Sequence, residues 1–183
     1  MRSISKEKSS WSPKQKCVRG LFAGGPFCYQ SQQIFRDAGI RNHFNAPLEL
    51  KYQLQDFNYS CEHTLLDMGA DEFTLGKPHP MIDGTLRKQR ILTESHNPRT
   101  TILLLPFILG YNASMDPVGE LLDAIIEANQ TVRKHARNLT VVASMCGTDV
   151  DPQDLNLQIK LLKKAGVIVF HSNAKPPPFV VNC

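Results

Sequence analysis

The sequence predicts an α/β fold of the flavodoxin-like type, a doubly wound sheet of five mainly parallel strands with helices on both faces. Short apolar runs alternate with amphipathic segments of helical period along most of the chain. The run at residues 101–109 is almost uninterrupted, which is typical of a strand that a parallel sheet buries on both faces. The alternation indicates βαβ units with right-handed crossovers.

Glycines define the first strand and helix. Residues 18–23 form an apolar run that ends at Gly24-Gly25. A helix is expected over residues 28–38, where Gly39 provides the C-terminal cap. The polar and aromatic segment 40–62 that follows predicts no element beyond a short extra strand or helix.

The second unit begins with the apolar run at residues 64–68, which we interpret as a strand. Apolar side chains near helical spacing predict a helix over residues 81–95, and Asn97-Pro98 ends it. The long apolar strand at residues 101–109 comes next.

The best-defined helix begins at Asp116-Pro117, because aspartate is a favoured N-cap and proline fits the first helical position. Another helix is expected over residues 154–164, with Gly166 as its cap. The last two strands are predicted at residues 139–145 and 167–170.

Length and charge indicate one domain with no affinity for nucleic acid. With 183 residues, a domain is expected over residues 15–173, between a disordered tail at 1–14 and a proline-rich tail at 174–183. The 21 basic and 17 acidic residues give a net charge of +4, and the basic residues are scattered. The basic run at residues 87–90 is interpreted as a solvated helix face rather than a phosphate site.

The cysteines and apolar runs indicate a cytoplasmic protein. Five cysteines include no C-x-x-C pair and no zinc-type spacing with histidine, which favours reduced thiols. No apolar run is long enough to span a bilayer, so no membrane partner is expected.

The segment 63–83 combines a strand with a polar loop and has the composition of a functional site. His79 is a candidate phosphoryl acceptor or general base, because an imidazole titrates near neutral pH. A structural His79, bonded to Asp67 or Asp83, is the alternative. The adjacent pair Asp71-Glu72 rarely binds Mg²⁺ without ligands from elsewhere, so no metal site is predicted.

Cys146 ends the predicted fourth strand and is the second candidate catalytic residue. A cysteine there acts as a nucleophile when a base and an anion-stabilising helix are near. A buried, inert thiol is the alternative interpretation, because no dedicated base is evident.

Seven segments in order resemble the FdrA family of acyl-CoA synthetase-like proteins, relatives of succinyl-CoA synthetase. They are residues 14–25, residues 63–83, Leu109-Gly-Tyr111, Asp116-Pro-Val-Gly-Glu120, Cys146-Gly-Thr-Asp149, Asp151-Pro-Gln153 and residues 165–169. The resemblance implies the fold of the succinyl-CoA synthetase ligase domain. The family has a further N-terminal CoA-binding Rossmann domain, and its first loop is similar to Gly-Gly-Thr-Leu-Cys. This chain has Pro26-Phe27 in that loop, which removes a hydroxyl and a backbone N–H.

In succinyl-CoA synthetase, helix N-termini at similar positions point at a phosphohistidine, so the resemblance implies anion binding near Val118 and Gly119. The chain has no Gly-His-Ala-Gly loop onto which His79 would map. Capping by Asp116 and a simple tight turn at Gly24-Gly25 are the alternatives. The candidate anion- or phosphate-binding residues are Gly24, Gly25, Gly110, Val118, Gly119, Gly147 and Thr148.

The expected function is that of a C-terminal, FdrA-type ligase-like domain that is inactive alone. The resemblance implies a CoA-binding domain or subunit supplied by another chain, and a homo-oligomer is compatible with it. No cofactor is expected on this domain alone, and CoA and ATP with Mg²⁺ are implied only for a complete family member. The alternatives are a subunit of an oxamate carbamoyltransferase-type complex, a non-catalytic association module and a truncated gene product.

Overall fold

The computed structural model describes residues 10–171 and contains one sheet in which every strand pairing is parallel. The strands are β1 Cys17–Phe22, β2 His43–Phe44, β3 Thr64–Asp67, β4 Thr100–Ile108, β5 Thr140–Cys146 and β6 Ile168–Phe170. Their spatial order is β2-β3-β1-β4-β5-β6, which is the flavodoxin-like order with β2 added at one edge. The predicted fold class is confirmed, with six strands in place of five. The predicted tail at 174–183 and most of that at 1–14 lie outside the described residues.

Four of the helices follow the strands as predicted, and a fifth, of four residues, forms in the loop after β3, where no helix was predicted. They are α1 Gly25–Asp37, α2 Asp71–Thr74, α3 Thr85–His96, α4 Pro117–Lys134 and α5 Leu155–Lys164. Helix α1 begins before the predicted residue 28, because Pro26 fits the first turn of a helix. Helix α3 begins after the predicted residue 81, because the N–H groups of Ile82 and Asp83 bond to the carbonyl of His79 in a separate turn.

Two apolar layers cover the sheet, and alternate residues of each strand point into them. Leu103 and Leu105 of β4 join the cluster beneath α3, α4 and α5, whereas Ile102 and Leu104 join the cluster beneath α1. Among residues 10–171, the helices all lack the length and apolarity needed to cross a bilayer.

Segment 40–62 is ordered by its contacts rather than by regular structure. It contains β2 and one turn of 3-10 helix at Leu50–Tyr52. Its end is held by Arg90, whose Nη1 donates to the carbonyl of Phe57 and whose Nη2 donates to Ser60 Oγ. Glu94, 2% exposed, accepts from Arg90 Nε and from Arg19 Nε, both at 2.8 Å.

Candidate functional site

The carboxyl ends of β1, β3, β4 and β5 bring four loops together at one edge of the sheet. The Met68 N–H donates to the carbonyl of Phe22 at the end of β1. The Ser114 N–H, after β4, donates to the carbonyl of Met81, after β3, at 2.8 Å. The Leu109 N–H donates to the carbonyl of Cys146 at the end of β5. The candidate residues from these loops therefore share the edge where α/β sheets bind ligands.

His79 is fixed by its own turn. Its Nδ1 accepts the Met81 N–H at 3.2 Å, so in the neutral ring the proton lies on Nε2. Nε2 lies over Gly69, where a Cβ atom would be only 2.6 Å away. The partner is thus the Met81 N–H rather than either carboxylate considered from the sequence. Asp83 Oδ1 instead accepts the Thr85 N–H at 2.7 Å.

A buried acid lies beside His79 and below the start of α1. Asp67 is 7% exposed, and its Oδ1 accepts the Gly69 N–H at 3.0 Å. Burial raises the pKa of this carboxyl, and nearby Glu72 raises it further. A Cβ added to Gly25 would lie 3.2 Å from Asp67 Oδ2. An anion at Gly24-Gly25 would therefore meet a carboxylate whenever Asp67 is ionised.

Asn45 clamps the backbone of Asp67 from the neighbouring segment. Its Oδ1 accepts the Asp67 N–H at 2.8 Å, and its Nδ2 donates to the Asp67 carbonyl at 2.9 Å. Asn45 Nδ2 also donates to Glu72 Oε1 at 2.7 Å. The sequence analysis missed Asn45 because the residue lies in the segment that has no periodic pattern.

Four backbone N–H groups proposed for anion binding already have side-chain acceptors. Gly110 donates to Gln153 Oε1 at 3.0 Å, Val118 to Gln158 Oε1 at 3.0 Å, Gly119 to Asp116 Oδ1 at 2.9 Å and Thr148 to Asp151 Oδ2 at 2.6 Å. An anion at these groups has to displace an amide or a carboxylate. The predicted capping by Asp116 is present.

Gly147 has a packing role in this structure. A Cβ there would lie 2.8 Å from three side-chain atoms of Leu109. Glycine at this position lets the loop after β5 approach the loop after β4 closely. Anion binding by Gly147 and by the other six candidates stays a prediction.

Cys146 is exposed, which differs from the buried thiol favoured by its position in an apolar strand. It is the last residue of β5, paired in register with Ile108, where the strand leaves the core. The residue is therefore accessible to solvent, and its nucleophilic role stays a prediction.

One arginine of the basic run 87–90 lies buried at this edge. Arg87 of α3 is 3% exposed, so the solvated-face interpretation is wrong for it. Its Nη2 donates to the carbonyl of Pro106 at 2.8 Å, its guanidinium lies 5.2 Å from the Phe107 ring centre, and its Nε has no partner. Burial lowers the pKa of Arg87 to about 10, although the nearby carboxylate of Glu120 opposes that effect.

Glu120 of α4 joins two loops near Arg87. Its Oε2 accepts the Gly84 N–H at 2.7 Å, and its Oε1 accepts a hydrogen bond from Ser114 Oγ. A small pocket lined by Arg87 and Glu120 lies between Ala23, after β1, and Ile108, at the end of β4. Helices leave the sheet in opposite directions here, at its topological switch point.

Several large apolar side chains at the same edge are exposed to solvent. Leu75, Ile82, Tyr111, Met115 and Val150 are between 60% and 88% exposed, and all lie in the loops after β3, β4 and β5. We call this set the apolar rim. Exposed apolar residues grouped in this way are typical of a surface that another protein surface covers.

The acidic and sulfur-containing side chains of this edge are dispersed. Within residues 10–171, no three His, Cys, Asp or Glu side chains are placed to share a metal ion. At this edge the side chains of Gln153, Gln158 and Glu120 accept hydrogen bonds from backbone N–H groups. The Arg87 cation lies near them, in the lining of the small pocket.

Comparison with known proteins identifies a family and a curated relative. The family model described as CoA-ligase matches residues 21–178. A curated relative, "Uncharacterized protein YahF" of Escherichia coli (strain K12), is 36% identical over 170 residues, which are 93% of this chain and 33% of that protein. The chain thus spans about a third of the length of the curated relative.

Proposed function

This chain belongs to the CoA-ligase family, and we propose that it acts as the ligase-like domain of an FdrA-type acyl-CoA synthetase. In this proposal its carboxyl edge forms one wall of an acyl-CoA site. A CoA-binding domain or subunit supplied by another chain completes the site. The observation that carries the proposal is the family match itself, since residues 21–178 include every loop that meets at this edge.

The exposure of the apolar rim supports the proposal that a partner covers this edge. Leu75 is 88% exposed and Tyr111 is 87% exposed, on two loops that flank the Arg87 pocket. Covering such side chains contributes about 25 cal/mol per Å² of apolar surface. A partner that lies on the rim would also close the pocket from water, as an acyl-transfer site requires.

CoA and ATP with Mg²⁺ fit the described residues poorly, so we expect neither to bind to this domain alone. The N–H groups of Gly110, Val118, Gly119 and Thr148 already have acceptors. A nucleotide phosphate needs free donors of this kind. In the proposed site this domain therefore contributes a shaped wall and the buried Arg87 cation.

The test is reconstitution of the full chain with a CoA-binding polypeptide encoded in the same genome. We expect a stable complex that releases ADP from ATP only when CoA and a short carboxylic acid are both present. A complex without CoA-dependent turnover would identify an association module. Turnover with carbamoyl phosphate but not with CoA would favour the carbamoyltransferase alternative. Absence of any complex would contradict the proposal.

A pair of tyrosines locates the docking surface. Tyr111→Ser removes a side chain of the apolar rim, and we expect it to weaken the complex by roughly tenfold or more, as for an interface anchor. Tyr59→Ser is the matched control, because Tyr59 is 75% exposed but precedes β3 and so lies away from the carboxyl edge. Equal effects of the two substitutions would place the interface elsewhere.

A further inference from the structure

A cleft of about 270 Å³ lies beside the edge strand β2 and shares no residue with the carboxyl-edge site. The C-terminal half of α1, residues 39–42 and residues 48–52 enclose it. Helix α1 is about 20 Å long at 1.5 Å per residue, so the cleft lies at the end of α1 opposite Gly24-Gly25. Its volume equals that of roughly nine water molecules, which suits a small organic molecule.

One wall of the cleft is apolar and aromatic. Ile40, Phe44, Leu48 and Tyr52 line it. Leu48 is 48% exposed, so a ligand that covers it would bury apolar surface now in contact with water. The flat rings of Phe44 and Tyr52 favour a ligand with an aromatic or branched apolar body.

The loop that forms this wall is held in place before any ligand arrives. Gln32 of α1 is 3% exposed, and its Oε1 accepts the Leu48 N–H at 3.0 Å. Its Nε2 donates to the carbonyl of Ala46 at 2.9 Å. A ligand would meet a largely preformed cleft and would order little of the chain on binding.

The lining of the cleft also includes two cations. Arg36 and Arg41 line it, and among residues 10–171 Arg41 has no acidic side chain within 4 Å. Arg36 Nε lies 3.6 Å from Asp37 Oδ1, a loose contact between two exposed side chains. The one acid of the cleft lining, Glu49, pairs with Lys51 Nζ at 2.7 Å and also interacts electrostatically with Arg36. Two arginines against one carboxylate give the lining a net positive charge, which favours an anion.

A buried amide in the same cleft also lacks a partner. Asn42 is 4% exposed, and its Nδ2 donates to no acceptor. A buried donor without an acceptor is uncommon, because its lost hydration is not compensated. Since the Nδ2 atom itself is shielded from solvent, a ligand in the cleft would reach it only after the Asn42 side chain rotates toward the cleft.

We propose that this cleft binds a small organic carboxylate with an aromatic or branched apolar body. The carboxylate interacts with Arg36 and Arg41, and the apolar body lies against Phe44 and Tyr52. Rotation of the Asn42 amide toward the cleft would give its Nδ2 an acceptor on the ligand. The inference does not rest on the proposed acyl-CoA function, since no residue or assay is shared.

The test is a ¹H–¹⁵N NMR titration of the full chain with benzoate and, separately, with benzyl alcohol, which has the same ring without the charge. Benzoate should shift the backbone signals of Gly39 and Ile40 and the side-chain NH₂ signals of Asn42 in a saturable way. Benzyl alcohol should bind at least roughly tenfold more weakly, because it lacks charge-assisted hydrogen bonds. Equal affinities, no saturable shift, or shifts centred on other residues would overturn the proposal.

Substitution of the two arginines provides a second test of the proposed cleft. Arg41→Gln should weaken benzoate binding by roughly tenfold and leave benzyl alcohol binding unchanged, since only the charged interaction is lost. Arg133→Gln is the matched control, because Arg133 is an exposed arginine in the last turn of α4 and Arg36 is one in the last turn of α1. Unchanged benzoate affinity in both Arg36→Gln and Arg41→Gln would contradict the assignment.

Discussion

Gln153 holds both backbone groups of Gly110, across 43 positions of sequence. Its Oε1 accepts the Gly110 N–H at 3.0 Å, and its Nε2 donates to the Gly110 carbonyl at 2.6 Å and to the Ser114 carbonyl at 3.1 Å. Gly110 has a φ of 138°, a conformation that side chains disfavour. One buried amide thus sets the shape of the loop between β4 and α4.

We expect Gln153→Ala to lower the free energy of unfolding by about 1–3 kcal/mol, because it leaves partly buried backbone groups unpaired. Urea denaturation measures the change. Gln130→Ala is the control, since Gln130 is an exposed residue of α4, and should stay within about 0.5 kcal/mol of the wild type. Equal losses would show that Gln153 does not hold the loop.

The Arg19–Glu94–Arg90 network predicts a larger effect. Glu94→Ala leaves two buried guanidinium groups without their carboxylate, and we expect a loss of about 3–5 kcal/mol. Glu94→Gln should lose less, because it keeps an acceptor. Glu127→Ala, on the exposed side of α4, provides the baseline. A small loss for Glu94→Ala in urea denaturation would mean that the network contributes little.

Two glycines at the carboxyl edge should respond differently to alanine. Gly69→Ala places a Cβ 2.6 Å from His79 Nε2 and 3.0 Å from the Ala23 carbonyl, and we expect it to destabilise the fold by about 1–3 kcal/mol. Gly24→Ala meets nothing within 4 Å and should change the free energy by about 0.5 kcal/mol or less. Thermal unfolding of the pair distinguishes them, and similar Tm values would mean that the His79 ring does not pack on Gly69.

His63 should make stability depend on pH. Its Nδ1 accepts the Val18 N–H at 3.1 Å, and burial, with the charge of Arg19, lowers its pKa below the usual 6.5. Since the unfolded chain binds this proton more readily, stability rises with pH through the window below 6.5 and is lost as the pH falls through it.

We expect the Tm of the wild type to fall more than that of His63→Gln between about pH 7.5 and about pH 5.5, because glutamine keeps an acceptor that does not titrate. His135→Gln, at an exposed position after α4, should behave as the wild type does. Parallel Tm curves for His63→Gln and the wild type would contradict the prediction.

Thiol labelling should separate the cysteines by exposure. Cys146 and Cys61 are exposed, whereas Cys17 and Cys28 are buried. Burial raises the pKa of Cys28 to about 12, so its thiolate is scarce at neutral pH. We expect iodoacetamide at about pH 8 to modify Cys146 and Cys61 in the native protein, as mass spectrometry of peptides would show. Rapid labelling of Cys28 would indicate local opening of α1.

The order of strands and helices could be predicted because it depends on local patterns. The apolar run at residues 101–109 became β4, and Asp116-Pro117 begins α4 as expected. The start of α1 shifted because Pro26 fits a first helical turn, and the start of α3 shifted because Ile82 and Asp83 bond to His79 in a separate turn.

Burial of the basic run was not predictable from its composition. Arg87 and Arg90 are 3% and 8% exposed, although a short run rich in basic residues usually indicates a solvated face. Burial there depends on the backbone carbonyls of Pro106 and Phe57, which lie far away in sequence. Periodicity identifies which face of a helix is apolar but not which long polar side chains find buried partners.

The sequence alone determined the parallel α/β fold and the set of loops that meet at its carboxyl edge, because apolar periodicity and capping residues act within a few positions of the chain. Only the tertiary structure decided which backbone donors at that edge remain free. Gln153 and Gln158 reach Gly110 and Val118 from 43 and 40 positions away. Such long-range hydrogen bonds depend on how the helices pack, and no local pattern records them.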